Sequence, residues 1–259
     1  MIPGGIQKTS LIDYPGKLAC VIFLSGCNLR CPYCHNPGLA EGRLRSMEFP
    51  DMSRIMDFLE RRIGLLDGVV VSGGEPTIHP GLESLCRKIK AMGYALKLDT
   101  NGTRPRVIRR LLEKGLVDYV AMDLKTDLDR YGELGARDGV NSALGESIRL
   151  LLRSAVTYEF RTTCVKPFVD ETVVKNLART IRGARLYALQ PFQETVVLRP
   201  EFFGEKSPAF DRRSLQALVR AAVPYVERCI LRGADNAAPL EGPMRGSNPD
   251  RPVTTTRPL

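Results

Sequence analysis

The 259-residue chain contains no apolar run approaching the ~18 residues that a membrane span needs. The best, around Leu18 to Leu24, has only the length of a strand, so no membrane partner is expected. The first residues, MIPGGIQKTS, lack a signal peptide's charged and apolar regions, and a cytoplasmic location is expected. Cysteines number 7, an odd count that argues against a disulfide framework. Acidic residues are in the minority, 29 Asp plus Glu against 38 Lys plus Arg, for a net charge of +9. No nucleic-acid signature or aromatic platform accompanies the arginines, so no nucleic-acid partner is expected. Composition is otherwise that of a soluble globular enzyme, with 43% hydrophobic and 26% charged residues.

The last stretch, Gly233 to Leu259, has five prolines and almost no large apolar residue, and is expected to be a disordered tail. Its Asp235, Glu241 and Asp250 cancel Arg245, Arg251 and Arg257, which leaves the whole charge excess to residues 1–232. Some of it sits in Arg104, Arg106, Arg109, Arg110 and Lys114, along one expected helix whose Val107, Ile108, Leu111 and Leu112 form an inward stripe. The outer face reads as solvated, a general surface bias that would favour an acidic protein partner.

Before the tail there is no low-complexity block and no fixed-period repeat, but strand-like and helix-like segments alternate. Strands are expected at 18–24, 67–72, 94–99, 118–124, 157–165 and 185–190, mostly apolar on both faces as buried parallel strands are. Helices are expected at roughly 51–63, 81–92, 104–115, 141–155, 170–182 and 211–223. Six βα units in series imply a parallel sheet wrapped by helices, as a partial barrel or a doubly wound sheet. Either architecture places its site beyond the C-terminal ends of the strands. The residues there are polar, Gly-rich or metal-binding: SGCNLRCPYCHNP, GGEPTIHP, TNGTRP, KTDLDRYG, KPFVD and PFQET.

Cys20, Cys86, Cys164 and Cys229 each lie in an apolar segment and read as small core residues. Cys27, Cys31 and Cys34 lie within eight positions of one another and allow four readings. Structural zinc would need the adjacent Cys34 and His35 to share one tetrahedral ion, and a distant fourth cysteine is missing. Cys31-Pro-Tyr-Cys34-His35 matches c-type haem attachment, which belongs to exported proteins. A redox C-x-x-C pair leaves Cys27 unexplained. An iron–sulfur cluster on three thiolates leaves one iron open to a small molecule.

The C-x-x-x-C-x-x-C spacing, with aromatic Tyr33 before Cys34, resembles the radical S-adenosylmethionine (SAM) superfamily. Within it the chain looks most like the activating enzymes of glycyl-radical enzymes. It is most similar to the short anaerobic ribonucleoside-triphosphate reductase activating proteins, which share the block TSLIDYPGKLACVIFLSGCNLRCPYCHNP. The resemblance covers residues 1 to about 232 and implies a partial (β/α)6 TIM-like barrel. It implies a [4Fe–4S] cluster on Cys27, Cys31 and Cys34, with SAM on the open iron. It also implies a glycyl-radical partner and a flavodoxin- or ferredoxin-type electron donor.

Further site residues follow from the same resemblance. Gly73-Gly74-Glu75 is similar to the family's GGE element, which holds the SAM amino group; alone it would read equally as a tight turn. Asp99 and Asn101, in an ordinary-looking Asp-Thr-Asn-Gly loop, correspond to an element beside the SAM ribose and methionine portion. Asp123 and Lys125 point to one side by strand alternation and could simply pair with each other; by resemblance they contact SAM. Arg161 lies in an otherwise apolar strand and needs an anion, for which a SAM carboxylate is a sensible partner. His35 is expected near SAM through its backbone, and His79 reads as a rim loop residue. Gln193 stands where the pyruvate formate-lyase type of activating enzyme has a histidine, which argues against that subtype. Two rival functions remain: radical SAM chemistry on a small molecule or another protein, as in 7-carboxy-7-deazaguanine synthase, and a non-enzymatic zinc or nucleic-acid module.

Overall fold

A computed structural model describes residues 3–42, 51–194, 196–204, 207–233 and 240–241. One sheet of nine strands organises the chain, and the strands follow chain order from one edge to the other. They are β1 (Pro3–Ser10), β2 (Ala19–Leu24), β3 (Gly68–Gly73), β4 (Ala95–Thr100), β5 (Tyr119–Asp123), β6 (Thr157–Cys164), β7 (Tyr187–Pro191), β8 (Arg228–Leu231) and β9 (Leu240–Glu241). Strands β2 to β8 are mutually parallel, while β1 and β9 pair antiparallel at the two edges. The two edge strands do not pair with each other, so the barrel is open.

All six expected strands are present, as β2 to β7, and three more extend the sheet. The parallel strand β8 is only four residues long and directly follows a helix, which leaves little periodicity to read. The edge strand β1, PGGIQKTS, carries proline, glycines and exposed polar residues, as an edge strand tolerates. Of the segment expected to be a disordered tail, Gly233 and Leu240–Glu241 are described, and the latter pair pads the edge of β8. The rest of that expectation lies outside the described residues.

Between the strands run α1 (Pro37–Glu41), α2 (Met52–Glu60), α3 (Leu82–Ala91), α4 (Pro105–Glu113), α5 (Val140–Leu152), α6 (Glu171–Thr180) and α7 (Arg212–Ala222). Asp51, Asp170 and Asp211 cap α2, α6 and α7 by accepting from a backbone N–H three residues on. Alternate strand residues such as Ile22, Val71, Leu98, Met122 and Phe160 pack against the apolar stripes of these helices in one continuous core. All four scattered cysteines are fully buried in that layer. Among the described residues no helix is long and apolar enough to cross a membrane.

The inner face departs from the expectation of strands apolar on both sides. Tyr14, Ala19, Val21, Val70, Tyr119 and Ala121 form a small apolar cluster. Beside it on β4 to β6 the inward positions carry Lys97 next to Tyr119, Asp99 and Glu159 flanking Ala121, and the Asp123 and Arg161 pair above them towards the C-terminal ends. A parallel barrel ordinarily fills its interior with branched apolar residues. A charged upper interior marks the end where a polar ligand is received.

Candidate active site

The loop after β2 is held by backbone contacts rather than by regular structure. Gly26 N–H donates to Leu39 O at 2.7 Å and Cys27 N–H to Ala40 O at 3.1 Å, so the short α1 folds back onto the loop. Cys34 N–H donates to Cys31 O at 3.0 Å, a tight turn between the second and third cysteines. The Arg30 guanidinium donates to Cys27 O at 2.6 Å and Leu29 O at 2.9 Å. Tyr33 is buried beneath the loop, its ring 5.3 Å from that of Phe168.

Gly73 and Gly74 stitch the end of β3 to this loop. Gly74 N–H donates to Leu24 O and Glu75 N–H to Gly26 O, both at 2.8 Å. A Cβ on Gly74 would lie 2.1 Å from Gly26 O, and one on Gly73, at φ +119°, would lie 2.3 Å from Leu24 O. Only glycine fits where two backbones lie so close. Glu75 is fully buried and saturated internally. Its carboxylate accepts from Thr77 N–H at 3.0 Å, the Thr77 hydroxyl, the Thr100 hydroxyl at 2.7 Å and Asn101 N–H at 2.6 Å. Burial pushes its pKa up, and those donors work against the shift. Glu75 therefore ties the β3 and β4 loops together.

Asn101 donates through Nδ2 to Asn28 Oδ1 at 2.9 Å, with Cys27 Sγ at 4.0 Å from the same nitrogen. A chain of alternating charge runs below. Lys97 Nζ is 2.5 Å from Asp99 Oδ1, and Asp99 Oδ2 is 3.3 Å from Arg161 Nη1. Arg161 Nε is 2.7 Å from Asp123 Oδ1, and Asp123 Oδ2 is 3.1 Å from Lys125 Nζ. Asp99 on β4 and Arg161 on β6 are two strands apart and meet over β5, whose Ala121 is registered beside Asp99. The small alanine leaves room for the reach. Burial alone would raise the pKa of Asp99 and Asp123, but Arg161 first, then Lys97 or Lys125, holds both carboxyls below their usual range. Burial opposes the charge on Arg161 too, and Asp123 and Asp99 overcome it.

These elements enclose a cavity of about 230 Å³. Cys27, Cys31, Tyr33, Cys34, His35, Gly73, Gly74, Glu75, Asp99, Asn101, Asp123, Lys125 and Arg161 all line it, which brings together every expected site residue except Gln193. Gln193 is exposed. The chain turns after Pro191 so that Phe192 packs inward, its ring stacked 5.1 Å from that of His35. Ser72 and Thr163, which line the cavity, were not foreseen, nor was Lys97 beneath it. Lys97 was within reach of the alternation that joined Asp123 to Lys125.

All three thiols are free and border one cavity, and Cys27 Sγ accepts from Leu29 N–H at 3.4 Å. Burial pushes Cys31 up to about 12 in the metal-free chain, with Lys125 opposing, so metal must displace its proton. Among the described residues no three His, Cys, Asp or Glu side chains converge on a single ion. Thiols spread around a wider cavity suit a multi-iron cluster, which takes one thiolate per iron.

A parallel partial barrel with free thiols and a charged cavity on its C-terminal rim defines a cofactor-dependent enzyme. The Radical SAM superfamily profile matches residues 21–179, and the chain belongs to that family of radical-generating enzymes. Its cofactors are a [4Fe–4S] cluster and SAM. A Methanocaldococcus jannaschii protein, provisionally named as a glycyl-radical enzyme activating enzyme, is 36% identical over 233 residues, which cover 88% of this chain and 94% of the relative. The pyruvate formate-lyase-activating enzyme of Clostridium pasteurianum is 27% identical over 200 residues, covering 72% and 80%. The crystal structure of Streptococcus suis SuiB bound to SAM superposes with a TM-score of 0.54 at 14% identity, over 76% of this chain and 47% of SuiB. At that identity the likeness concerns the fold.

Proposed function

We propose that the chain activates a glycyl-radical enzyme and that its partner is an anaerobic ribonucleoside-triphosphate reductase. One observation carries the reading. The match to the Methanocaldococcus jannaschii relative runs through 94% of that protein rather than through a shared cofactor core alone. The choice of partner rests on the unbroken block Thr9–Pro37, which looks like that of the short reductase activating proteins.

In this reading Cys27, Cys31 and Cys34 hold the cluster and leave one iron for SAM. Bound there, the cluster would supply the electron for reductive cleavage of SAM. The chain's own residues bind and orient. Carbonyls at Gly73 and Gly74 accept from the SAM ammonium, with Glu75 holding that loop in place. Lys125 and Arg161 offer positive charge to the SAM carboxylate, and Asp99 and Asp123 keep both cations aimed. Asn101 and the backbone of His35 border the same space, while Tyr33 supports the cysteine loop from below. Gln193 has no part in this assignment. The outcome of the proposed activity would be a hydrogen atom moved from a partner glycine to the deoxyadenosyl carbon, with 5′-deoxyadenosine and a glycyl radical as products. A flavodoxin- or ferredoxin-type protein supplies the electron.

Electron paramagnetic resonance on an anaerobic reductase incubated with the reconstituted protein, SAM and reductant tests the proposal. A glycyl signal that requires all components is expected. Release of 5′-deoxyadenosine without that signal would move the substrate elsewhere.

A further inference from the structure

Cleavage of SAM needs one electron per turnover, which a second protein must bring close to the cluster. A second cavity, of about 560 Å³, opens on the far side of Cys27. Cys27 lines both cavities, whereas Cys31 and Cys34 line only the first. Cys27, with Leu29, therefore stands between the two cavities and is the one cysteine of the three that reaches the outer one. Arg30, Arg104 and Arg137 surround this outer cavity, against a single carboxylate, Asp138. All three arginines are exposed, and among the described residues no ion pair engages Arg104 or Arg137. Arg30 reaches back to the carbonyl of Cys27 itself, at 2.6 Å.

The positive surface does not end there. Arg104 is the cap residue of α4, whose exposed face adds Arg106 and Arg110. This is the basic helix whose outer face reads, from sequence, as a surface bias favouring an acidic protein partner. No aromatic side chain lines the cavity, so it offers no stacking platform to a nucleic acid.

We propose that this arginine-lined face docks an acidic one-electron carrier protein, and that Cys27 is the point of electron entry. The inference rests on the radical SAM reading of the cysteine site. One electron leaves the reduced carrier and enters the cluster, so the carrier departs oxidised by one electron and no atom is transferred. Opposite charge steers the carrier and sets its rate of encounter, while the cavity brings its surface up to Cys27.

The test uses the reconstituted holoenzyme, SAM and a reduced acidic ferredoxin, with dithionite as a second reductant. Arg104→Glu with Arg137→Glu reverses the charge of the face without touching a cavity-one residue. Arg213→Glu with Arg220→Glu, on α7, makes the same change of net charge on the other side of the barrel. The first pair is expected to weaken ferredoxin binding and ferredoxin-driven 5′-deoxyadenosine formation about tenfold or more at low ionic strength, and the control pair less than about twofold. Binding to the wild type falls as salt rises, and the Arg104/Arg137 variant loses that dependence. Dithionite-driven cleavage stays at the wild-type rate in both. Equal ferredoxin affinity in the wild type and the Arg104/Arg137 variant overturns the proposal. So does a variant that loses glycyl-radical formation with dithionite, because the face then serves the radical acceptor. If the wild type cleaves no SAM even with dithionite, the reading of the cysteine site fails instead.

Discussion

Replacing Arg161 with Met tests whether the charges inside the barrel act as one connected chain. Arg161 sits 2.7 Å from Asp123 and 3.3 Å from Asp99, and the three side chains are only 13%, 28% and 13% exposed. Water therefore screens them little. Removing one partner of a buried ion pair costs about 3–5 kcal/mol, because the other charge is stranded. Here neither carboxylate is wholly stranded, since Asp99 keeps Lys97 at 2.5 Å and Asp123 keeps Lys125 at 3.1 Å. That places the loss at the low end, about 3 kcal/mol, or a Tm lower by roughly 6–12 °C for a chain of this size.

The pH dependence has a definite sign. Both carboxyls titrate below their usual range in the wild type. A depressed folded pKa contributes stability that is complete above the unfolded value, near pH 4, and is lost as pH falls through the folded value. Without Arg161 the burial penalty is less opposed and both carboxyls titrate higher. The variant's deficit is therefore widest near pH 7 and narrows below about pH 4. Urea unfolding of wild type and variant, followed by circular dichroism at several pH values, measures it. Arg161→Lys should recover part of the loss, since an ammonium lacks the fork that holds two carboxylates. A deficit below about 1 kcal/mol at neutral pH, or one constant across the range, would refute the idea of a coupled chain.

Gly74→Ala drives a Cβ into the Gly26 carbonyl, so the Cys27 loop must shift; iron bound on anaerobic reconstitution should fall several-fold and stability by about 1–3 kcal/mol. Normal iron content would show that the loop yields freely. Glu75→Gln turns an all-acceptor group into one with an amide among four donors, and a Tm loss equivalent to about 1–3 kcal/mol is expected. An unchanged Tm would mean that the side chain does not hold the two loops together. Cys31→Ser should abolish both cluster and 5′-deoxyadenosine, measured by iron and sulfide analysis and by chromatography; a variant retaining either contradicts the ligand assignment.

Much of the architecture was legible because apolar periodicity carried it. Segments such as LACVIFL and DGVVVS could only be buried strands, and the capped helices between them fixed the order. The edges were not legible: β1 buries too little of its length, and β8 is too short for a period to show. In the site, spacing disclosed which residues meet at the rim, but not what each is bound to. Glu75 looked like a group facing ligand, yet its carboxylate is consumed by Thr77, Thr100 and Asn101. Arg161 signalled the need for an anion, but its protein partners lie on two other strands, and no local pattern links positions 99, 123 and 161. Gln193 was placed by position along the chain, and the inward packing of Phe192 moves it out of the cavity.

The charged interior cannot be explained by stability. Buried ion pairs seldom outperform well-packed apolar residues of the same volume. The same barrel shows the apolar alternative on the neighbouring strands β2 and β3, where Ala19, Val21 and Val70 line the interior without charge. The upper charges are therefore retained for the ligand above them. Beneath the cavity Lys97, Asp99, Arg161, Asp123 and Lys125 alternate in sign, so each of the two carboxylates lies between two cations. In the proposed assignment this chain faces a cluster on thiolates and a cosubstrate with its own carboxylate. Because the cations are braced by carboxylates, they are oriented before anything binds, and binding does not have to order them. Arg104 and Arg137 present positive charge outside, unbraced and exposed, as the proposed docking of a mobile carrier requires. Cys27 stands between the two, which gives the excess of arginine and lysine two distinct places in the molecule and two distinct kinds of work.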